Sequence, residues 1–335
     1  MPVRNEARFI SSTLGQLLDQ EYPRDRFEII VADGQSDDGT QRSVQDFAAR
    51  HSNVRLVDNP SRRSSAGRNL GFQLGRGDVF LVVDGHCHIP GRDHLLQVAR
   101  CLRESGADCL GRPQHLNPPG ISAFQESVAL ARASRLGHGG GSLIYGTFEG
   151  FCSPVSHGAA YTRRVLERVG GVDESFDACE DVEFNWRVER AGFQSYTSPG
   201  LMVYYYPRES LSGLWRQMVR YGRGRVRLGR KHPASFGLNT LVPAGLVLFL
   251  ALFAAVLALG TLSGPDSGFL DALALAGWLL SGAYVLVVCL ESARICLGNG
   301  WEHFARLMLI FPAIHLGLGA GMWMELWDTV RGGRP

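Results

Sequence analysis

Asp84 and His86 follow an unbroken apolar stretch and stand two residues apart. The stretch, residues 79–83, predicts a strand buried on both faces, as in a parallel sheet covered by helices. Asp84 would then lie at the carboxyl end of that strand, where open α/β sheets bind ligands, and His86 can point the same way. A carboxylate and an imidazole placed like this could hold a divalent metal ion. Taken in isolation, the motif also fits a turn aspartate and structurally bonded histidines.

Two other acidic segments adjoin predicted elements. Asp33 ends an apolar strand predicted at 27–32, and a turn rich in Asp, Ser and Gly follows at 34–39. Glu180 and Asp181 begin a helix predicted at 178–191, where the helix dipole favours negative charge. The alternative for this last pair is that both residues are helix N-terminal charges and nothing more.

The elements that must position these residues alternate between strand and helix. Further helices are predicted at about 7–20, 40–50, 64–74 and 93–105, and a further strand at 54–57. This alternation favours an α/β fold with a parallel sheet. The segment 121–136 is amphipathic, and it fits a helix on the domain as well as one along a membrane surface.

Composition excludes several classes of protein. The net charge of +2 gives no general basis for nucleic-acid binding, so no nucleic-acid partner is expected. The seven cysteines are scattered and form no C-x-x-C pair, which argues against a disulfide framework or a zinc ribbon. A reducing compartment is the simplest expectation for the soluble part.

The second part of the chain predicts a membrane region at 238–327. Apolar runs at 241–262 and 272–290 are long enough to span a bilayer. A third run, 304–327, contains Arg306, Pro312 and Glu325, and it could span or be re-entrant. About three transmembrane helices are therefore expected.

A basic run before the first span sets the expected orientation. It comprises Arg223, Arg225, Arg227, Arg230 and Lys231. The positive-inside rule places this end, and the soluble domain, in the cytoplasm, with the turn at 264–268 facing outward. Three spans would put Arg331 and Arg334 outside, against the same rule, so the number of spans stays open.

Four segments, in order, resemble those of inverting family 2 glycosyltransferases with the GT-A fold. Residues 2–6 resemble P-x-R-N-E, and residues 28–40 resemble E-I-I-V-V-D-D-G-S-x-D-G-T. Residues 68–86 resemble the approach to a D-x-D motif, and residues 170–181 resemble G-G-F-D-E followed by E-D. The resemblance covers about 1–232 and implies a Rossmann-like sandwich with a mostly parallel sheet.

The resemblance implies a nucleotide-sugar site. The loop with Pro2, Arg4 and Glu6 belongs to it, and Asp33 would accept hydrogen bonds from a uracil or ribose edge. Either Arg62 or Arg63, with Arg63 preferred, would meet phosphate, although both could be solvated loop charges.

A Mn²⁺ or Mg²⁺ ion would offset the charge of the leaving diphosphate, with Asp84 as its ligand. His86 replaces the second acidic residue of the motif, and imidazole suits Mn²⁺ somewhat better than Mg²⁺.

The same resemblance implies the catalytic residues. Asp181 would be the base that takes the acceptor proton, supported by Glu180. Gln217, Arg220 and Tyr221 resemble a Q-x-x-R-W motif with tyrosine in place of tryptophan. Arg220 would contact the diphosphate, and Tyr221 would pack beside the acceptor.

The chain most resembles exopolysaccharide glucosyltransferases of the succinoglycan type. We expect a GT-A catalytic domain at 1–206, a basic amphipathic interface segment at 207–237, the membrane region, and a tail at 328–335. The implied activity is transfer of a hexose, glucose by preference, from a UDP-sugar to a polyprenyl-linked saccharide. It would take place at the cytoplasmic face of the inner membrane, in exopolysaccharide or envelope glycan synthesis. The alternatives are a processive polysaccharide synthase and a catalytically silent scaffold that binds nucleotide sugars.

The resemblance also implies a central first strand before the P-x-R-N-E loop. The sequence begins at that loop. Because the neighbours of a missing central strand would keep unpaired, buried backbone groups, we predict an apolar strand upstream. The upstream coding sequence or the intact mass of the native protein tests this prediction.

Overall fold

The computed structural model describes residues 1–138, 143–263 and 268–332. The predicted turn at 264–268 therefore lies outside the described residues except for Gly268, and so does the end of the tail. The chain divides into two compact units, Met1–Ile121 with Gly141–Pro207, and Ser122–Gly140 with Arg208–Pro335. The second unit thus takes residues 122–140 from within the predicted catalytic domain.

The first unit contains all the described strands and most of the short helices. The strands are β1 (Pro2–Val3), β2 (Ile29–Asp33), β3 (Val54–Asp58), β4 (Val79–Leu81), β5 (Cys87–His88), β6 (Cys109–Gly111), β7 (Gln114–His115), β8 (Gly150–Cys152), β9 (Gly158–Thr162), β10 (Ser195–Thr197) and β11 (Val203–Tyr205). Its helices are α1 (Ile10–Leu18), α2 (Thr40–Ala48), α3 (Ser64–Leu74), α4 (His94–Ser105), α7 (Pro154–His157), α8 (Arg163–Val169) and α9 (Glu180–Arg190), with 3₁₀ turns at Arg24–Arg26 and Pro199–Leu201. The second unit holds α5 (Ala123–Ala133), α6 (Arg135–His138), α10 (Leu211–Lys231), α11 (Leu238–Ser263), α12 (Gly268–Asn299) and α13 (Phe304–Val330), with 3₁₀ turns at Pro233–Ser235 and Trp301–His303.

Parallel pairing is concentrated in the first sheet. Its order is β1-β2-β3, and both pairs of strands are parallel. Every residue of β2 is buried, as its apolar sequence predicts. On α1, Ile10, Leu14 and Leu17 recur at helical spacing and pack into the same core as β2.

The second sheet is mixed, with the order β4-β9-β6-β10-β8. Here β6 and β10 are parallel, whereas β4 pairs antiparallel with β9. A third sheet, β5-β11-β7, brings the segment after Asp84 next to Tyr204 and Tyr205. Asp84 follows β4 in the sequence, and Asp33 is the last residue of β2.

The strand β4 is shorter than the apolar run 79–83 predicts, and Val79 is 38% exposed. The reason is that β4 pairs with β9 on one side, while a cavity of about 230 Å³ lies between β4 and β2. Ile29, Ile30, Phe80 and Val82 line this cavity. The upstream strand stays a prediction.

The second unit is helical. Three of its helices are long and apolar enough to cross a membrane, over 239–262, 268–299 and 301–330. The helix α5 begins with a capping box between Ser122 and Gln125. Its buried residues Val128 and Ala131 pack into the core formed with α13.

The helices α10 and α13 pack closely because glycines face each other's backbone. A Cβ at Gly222 would overlap the carbonyl of Leu318, and one at Gly321 would overlap that of Val219. Beyond these glycines, Glu325 accepts hydrogen bonds from Arg223 and Arg227, at 2.9 and 2.7 Å. These two arginines of the basic run are therefore paired within the protein.

Candidate active site

The loop after β1 is fastened to the turn after β2. Asn5 donates its backbone N–H to the Ser36 hydroxyl, and Glu6 donates its own to Thr40 Oγ1, both at 2.8 Å. Asn5 and Gln35 both have positive φ angles of 56°, which ordinary residues seldom adopt. The two predicted motifs at 2–6 and 28–40 therefore form one structure.

Asp33 is buried at the end of β2, and its carboxylate supports this turn. It accepts hydrogen bonds from the Ser36 hydroxyl at 2.6 Å and from the Gln41 amide at 2.6 Å. The backbone N–H of Ser36 donates to it as well, at 2.9 Å. Asp33 thus shapes the loop through three donors, and its predicted contact with a base or ribose would add to them.

Glu6 and His86 meet, although they are 80 residues apart in the sequence. Glu6 Oε1 lies 2.7 Å from His86 Nδ1. The contact depends on Gly85, because a Cβ there would lie 2.8 Å from Glu6 Cγ. The imidazole also lies against the Tyr205 ring, with centroids 4.3 Å apart. A carboxylate at Nδ1 favours the tautomer that keeps the proton on Nδ1, which leaves Nε2 as a free lone pair.

His86 Nε2 is buried and has no hydrogen-bond partner among the described residues. Metal-binding histidines commonly donate their other ring N–H to a carboxylate, and Glu6 is placed to receive it. Asp84 is the neighbouring carboxylate. No three His, Cys, Asp or Glu side chains converge as a metal site in the described part of the chain. The two residues nevertheless fit an ion of the Mg²⁺ or Mn²⁺ type, which is commonly completed by substrate phosphates and water.

Asp84 lies in a positive field. Burial by itself would raise the pKa of its carboxyl, but the charges of Arg68 and Arg112 outweigh that effect, and the pKa lies below its ordinary value. Arg112 is 6% exposed and donates to the carbonyl oxygen of Val82, two residues before Asp84. Asp84 is therefore ionised at neutral pH.

Glu180 and Asp181 are the first two residues of α9, and they differ in exposure. Glu180 is buried, with Oε1 3.4 Å from Arg68 Nη2. Burial raises its pKa, against the pull of Arg68. Asp181 is exposed and accepts a hydrogen bond from the backbone of Val182. Cys179, with a φ of 64°, turns the chain into the helix.

The helix α3 connects these two ends of the site. Arg68 interacts electrostatically with both Asp84 and Glu180. The next residue, Asn69, holds the turn before α9, accepting from the backbone N–H of Val172 at 2.7 Å and donating to its carbonyl at 2.9 Å. The Arg68-Asn69 motif therefore positions residues 170–181 relative to Asp84.

The remaining predicted residues of the first unit lie around the same loops. Pro2 pairs with Ala32 in the first sheet. Arg4 is exposed and packs against Gly34. Arg63 donates to the carbonyl of Glu174 at 2.7 Å, which links its loop to the turn before α9.

Gln217, Arg220 and Tyr221 belong to the second unit, on α10. The Gln217 amide donates to the Tyr221 hydroxyl at 3.2 Å. The Arg132 guanidinium of α5 lies over the Tyr221 ring, 5.9 Å from its centroid. Their predicted contacts with donor and acceptor stay predictions.

Sequence reasoning assigned no role to Arg68 and Arg112. Arg112 is buried and Arg68 is partly buried, and the Nε atom of each is buried without a partner among the described residues. A weak signal existed for Arg112, which follows the apolar strand residues Cys109 and Leu110 and resembles Asp84 in this respect. For Arg68, the signal was its place in the quoted motif.

Comparison with known proteins identifies relatives of the whole chain. The family described as "Glycosyltransferase like family 2" matches residues 1–224. A succinoglycan biosynthesis protein, ExoA of Rhizobium meliloti, is 31% identical over 99% of this chain and 95% of its own length. A dolichyl N-acetyl-alpha-D-glucosaminyl phosphate 3-beta-D-2,3-diacetamido-2,3-dideoxy-beta-D-glucuronosyltransferase of Methanococcus voltae is 26% identical over 97% of this chain and 95% of its own length.

A solved structure shares the fold. The mannosyltransferase PcManGT of Pyrobaculum calidifontis, in complex with GDP-Man and Mn²⁺, aligns with a TM-score of 0.59. The alignment covers 98% of this chain and 86% of that one, at 22% identity. The predicted α/β architecture with C-terminal apolar helices, and the resemblance found from four motifs, are confirmed.

Proposed function

Because the chain belongs to the family 2 glycosyltransferases, we propose that its first unit transfers a hexose from a UDP-sugar to a polyprenyl-linked saccharide. The sugar carbon is inverted in the process. Glucose is the proposed sugar, and exopolysaccharide or envelope glycan is the proposed product.

The observation that carries this proposal is the position of Arg68. Its partly buried guanidinium lies 3.4 Å from Glu180 Oε1 and interacts electrostatically with Asp181 and Asp84 as well. A carboxylate suited to the donor and a carboxylate pair suited to the acceptor thereby belong to one site. A displacement in which donor and acceptor meet at one sugar carbon requires groups that hold the donor and groups that hold the acceptor in the same site.

The exposed carboxylate of Asp181 is the proposed base. It takes the proton of the acceptor hydroxyl while the acceptor oxygen forms a bond to the sugar carbon. The bond from that carbon to the diphosphate breaks on the opposite face, and the diphosphate leaves with the electron pair. Glu180, held by Arg68, positions the start of α9.

Asp84 and His86 would hold a divalent metal ion through a carboxylate oxygen and Nε2. When bound there, Mn²⁺ or Mg²⁺ supplies positive charge that offsets the charge of the leaving diphosphate. Arg68 and Arg112 add fixed positive charge on the protein side. The Mn²⁺ in the similar mannosyltransferase structure supports this assignment.

The proposed acceptor and location rest on the relatives and on the second unit. The succinoglycan protein supports exopolysaccharide synthesis, and the dolichyl phosphate in the name of the archaeal relative supports a lipid-linked acceptor. The apolar helices would attach the protein to the inner membrane. The basic residues of α10 support a cytoplasmic catalytic unit.

The test is transfer of radiolabel from UDP-glucose, UDP-galactose or GDP-mannose into lipid extract by membranes containing the protein. Asp181→Asn should reduce transfer by about 10³-fold, because the amide cannot take the proton, and should leave UDP binding intact. Glu189→Gln, further along the same helix, is the control and should retain transfer.

Unchanged transfer by Asp181→Asn would contradict the assigned base. Transfer from GDP-mannose alone would overturn the UDP donor. If the wild-type protein binds UDP but transfers no sugar, the scaffold alternative is favoured instead. Addition of long polymer, rather than a single sugar, would favour a processive synthase.

A further inference from the structure

The helix α13 differs from the other two apolar helices in how much of it the protein covers. Half of the most apolar stretch of α13 is buried inside the protein, compared with 6% of the corresponding stretch of α11 and 11% of that of α12. Buried residues of α13 include Leu307, Ile310 and Ile314 in its first half and Met322 in its second half.

The cover over the second half of α13 is α10, a highly charged helix. The two helices run in the same direction, because Met218 lies against Gly317, Arg223 against Glu325, and Arg230 against Thr329. The helix α10 also exposes Arg216, Arg220, Arg225, Arg230 and Lys231. Such a row of arginines cannot lie in hydrocarbon. The second half of α13 therefore shares the depth of a helix that stays in contact with water.

The contacts of α13 with α11 point the same way. A Cβ at Gly319 would overlap the carbonyl of Pro243, and the Trp323 indole donates to the carbonyl of Ala244 at 2.9 Å. Pro243 and Ala244 lie in the second turn of α11. The carboxyl end of α13 is therefore level with the place where the chain enters α11.

The amino end of α13 packs on the last turns of α12. Ile295 and Cys296 of α12 share a core with Leu307 and Ile310. If α11 and α12 cross the bilayer as a hairpin, the start of α11 and the end of α12 lie at one membrane face. Both ends of α13 then lie at that face as well, and a third crossing in register with α11 is inconsistent with these contacts.

We propose that α11 and α12 are the only two membrane-crossing helices of the described chain, and that α13 lies along the membrane surface beside α10. Its partner there is the headgroup region of the lipid bilayer. The exposed apolar residues Leu309, Trp323, Met324 and Trp327 suit that region, in which tryptophan is enriched. The arrangement also places Arg331 at the same membrane face as the basic run, in agreement with the positive-inside rule.

This proposal rests on the membrane attachment included in the proposed function, and its test is independent of sugar transfer. An epitope tag is placed in the full chain either after Pro335 or at position 266, between α11 and α12. Protease is then added to spheroplasts, which expose the outer face, and to inverted membrane vesicles, which expose the cytoplasmic face. We expect the tag after Pro335 to be cut only in inverted vesicles, and the tag at 266 only in spheroplasts.

Cleavage of both tags in spheroplasts would show that α13 crosses, and would overturn the proposal. Cleavage of both tags only in inverted vesicles would show that the hairpin does not cross, which overturns it too. Lipid-linked transfer in the same membranes reports separately on the proposed reaction. If a tag prevents accumulation, reaction of Gly332→Cys and Asp266→Cys with a membrane-impermeant maleimide, relative to the unsubstituted chain, gives the same distinction.

Discussion

Arginines meet buried carboxylates in both units, but the polar atoms of the two groups are satisfied to different degrees. In the second unit, both oxygens of Glu325 accept hydrogen bonds from Arg223 and Arg227. In the first unit, Arg68 and Arg112 each have a buried Nε without a partner among the described residues, and His86 Nε2 is in the same state.

An unmade hydrogen bond of a buried group costs on the order of 1–3 kcal/mol. A protein that keeps three such atoms close to Asp84 and Glu180 gives up stability at that place. The difference therefore distinguishes a group of charges that holds helices together from a group that is completed by a ligand. Exposure alone does not make this distinction, because Glu325 and Glu180 are both buried.

Removing the shared carboxylate of the second unit should have the largest effect on stability. Glu325→Ala leaves two partly buried guanidinium groups without their partner, and we expect a loss of about 3 kcal/mol. Thermal unfolding of the detergent-solubilised protein measures it. Asp328→Ala is the matched control, since Asp328 is half exposed, and should cost less than about 1 kcal/mol. An unchanged midpoint with lost transfer would instead place Glu325 in a functional site.

Adding one methyl group between α10 and α13 should have the next largest effect. Gly321→Ala places a Cβ against the Val219 carbonyl, and we expect a loss of about 2 kcal/mol from the separation of the helices. Gly245→Ala, on α11, is the control, because nothing lies within 4 Å of a Cβ at that position. If both substitutions shift the unfolding midpoint equally, the close packing described above is not what stabilises this unit.

A substitution at Glu6 tests whether the unpartnered lone pair of His86 belongs to a ligand site. Glu6→Gln weakens the contact that fixes the imidazole, and we expect about tenfold weaker binding of Mn²⁺ in the presence of UDP. Calorimetric titration measures the affinity, and nitrogen couplings in the Mn²⁺ electron spin echo spectrum report whether imidazole is bound. His86→Ala should abolish those couplings. Couplings that persist in His86→Ala would assign the nitrogen to another residue.

The pH dependence of stability should come from the first unit and be the smallest of these effects near neutral pH. Burial lowers the pKa of His157 to about 4, with a further contribution from Arg112. The unfolded chain therefore takes up this proton first, so stability is full above about pH 6.5 and falls towards pH 4. The slope is at most about 1.4 kcal/mol per pH unit for one group. His157→Gln should make the thermal unfolding midpoint depend less on pH between pH 6.5 and 4.5. An unchanged dependence would assign the effect to another group.

The sequence predicted well those features that depend on local pattern. Asp33 and Asp84 come at or after the ends of strands, and Glu180 and Asp181 begin a helix, because apolar runs and helix starts are encoded over a few neighbouring residues. The apolar run 79–83 misled in its length, its burial and its pairing, since β4 ends at Leu81, Val79 is 38% exposed and the strand pairs antiparallel with β9. A run buried on both faces needs partners on both edges, and β4 pairs on one edge.

Features that depend on distant partners were beyond local reasoning. The contact between Glu6 and His86 joins residues 80 apart in the sequence. The electrostatic effect of Arg112 on Asp84 depends on where the preceding strand, β6, lies in the sheet. The segment 121–136 shows the same limit, since its apolar face fits several partners, and only the structure assigns α5 to the second unit. Residue types alone do not predict which buried polar atoms of the first unit lack a hydrogen-bond partner among the described residues.

The glycines at the contacts between α10, α11 and α13 have a mechanical consequence. Gly222, Gly319 and Gly321 bring the backbones of α10, α11 and α13 into direct contact, with no side chain between them to change rotamer and absorb a displacement. Closely packed interiors have low compressibility and transmit strain. We therefore expect a displacement of α10 to be passed to the first turns of α11, with these three helices moving together.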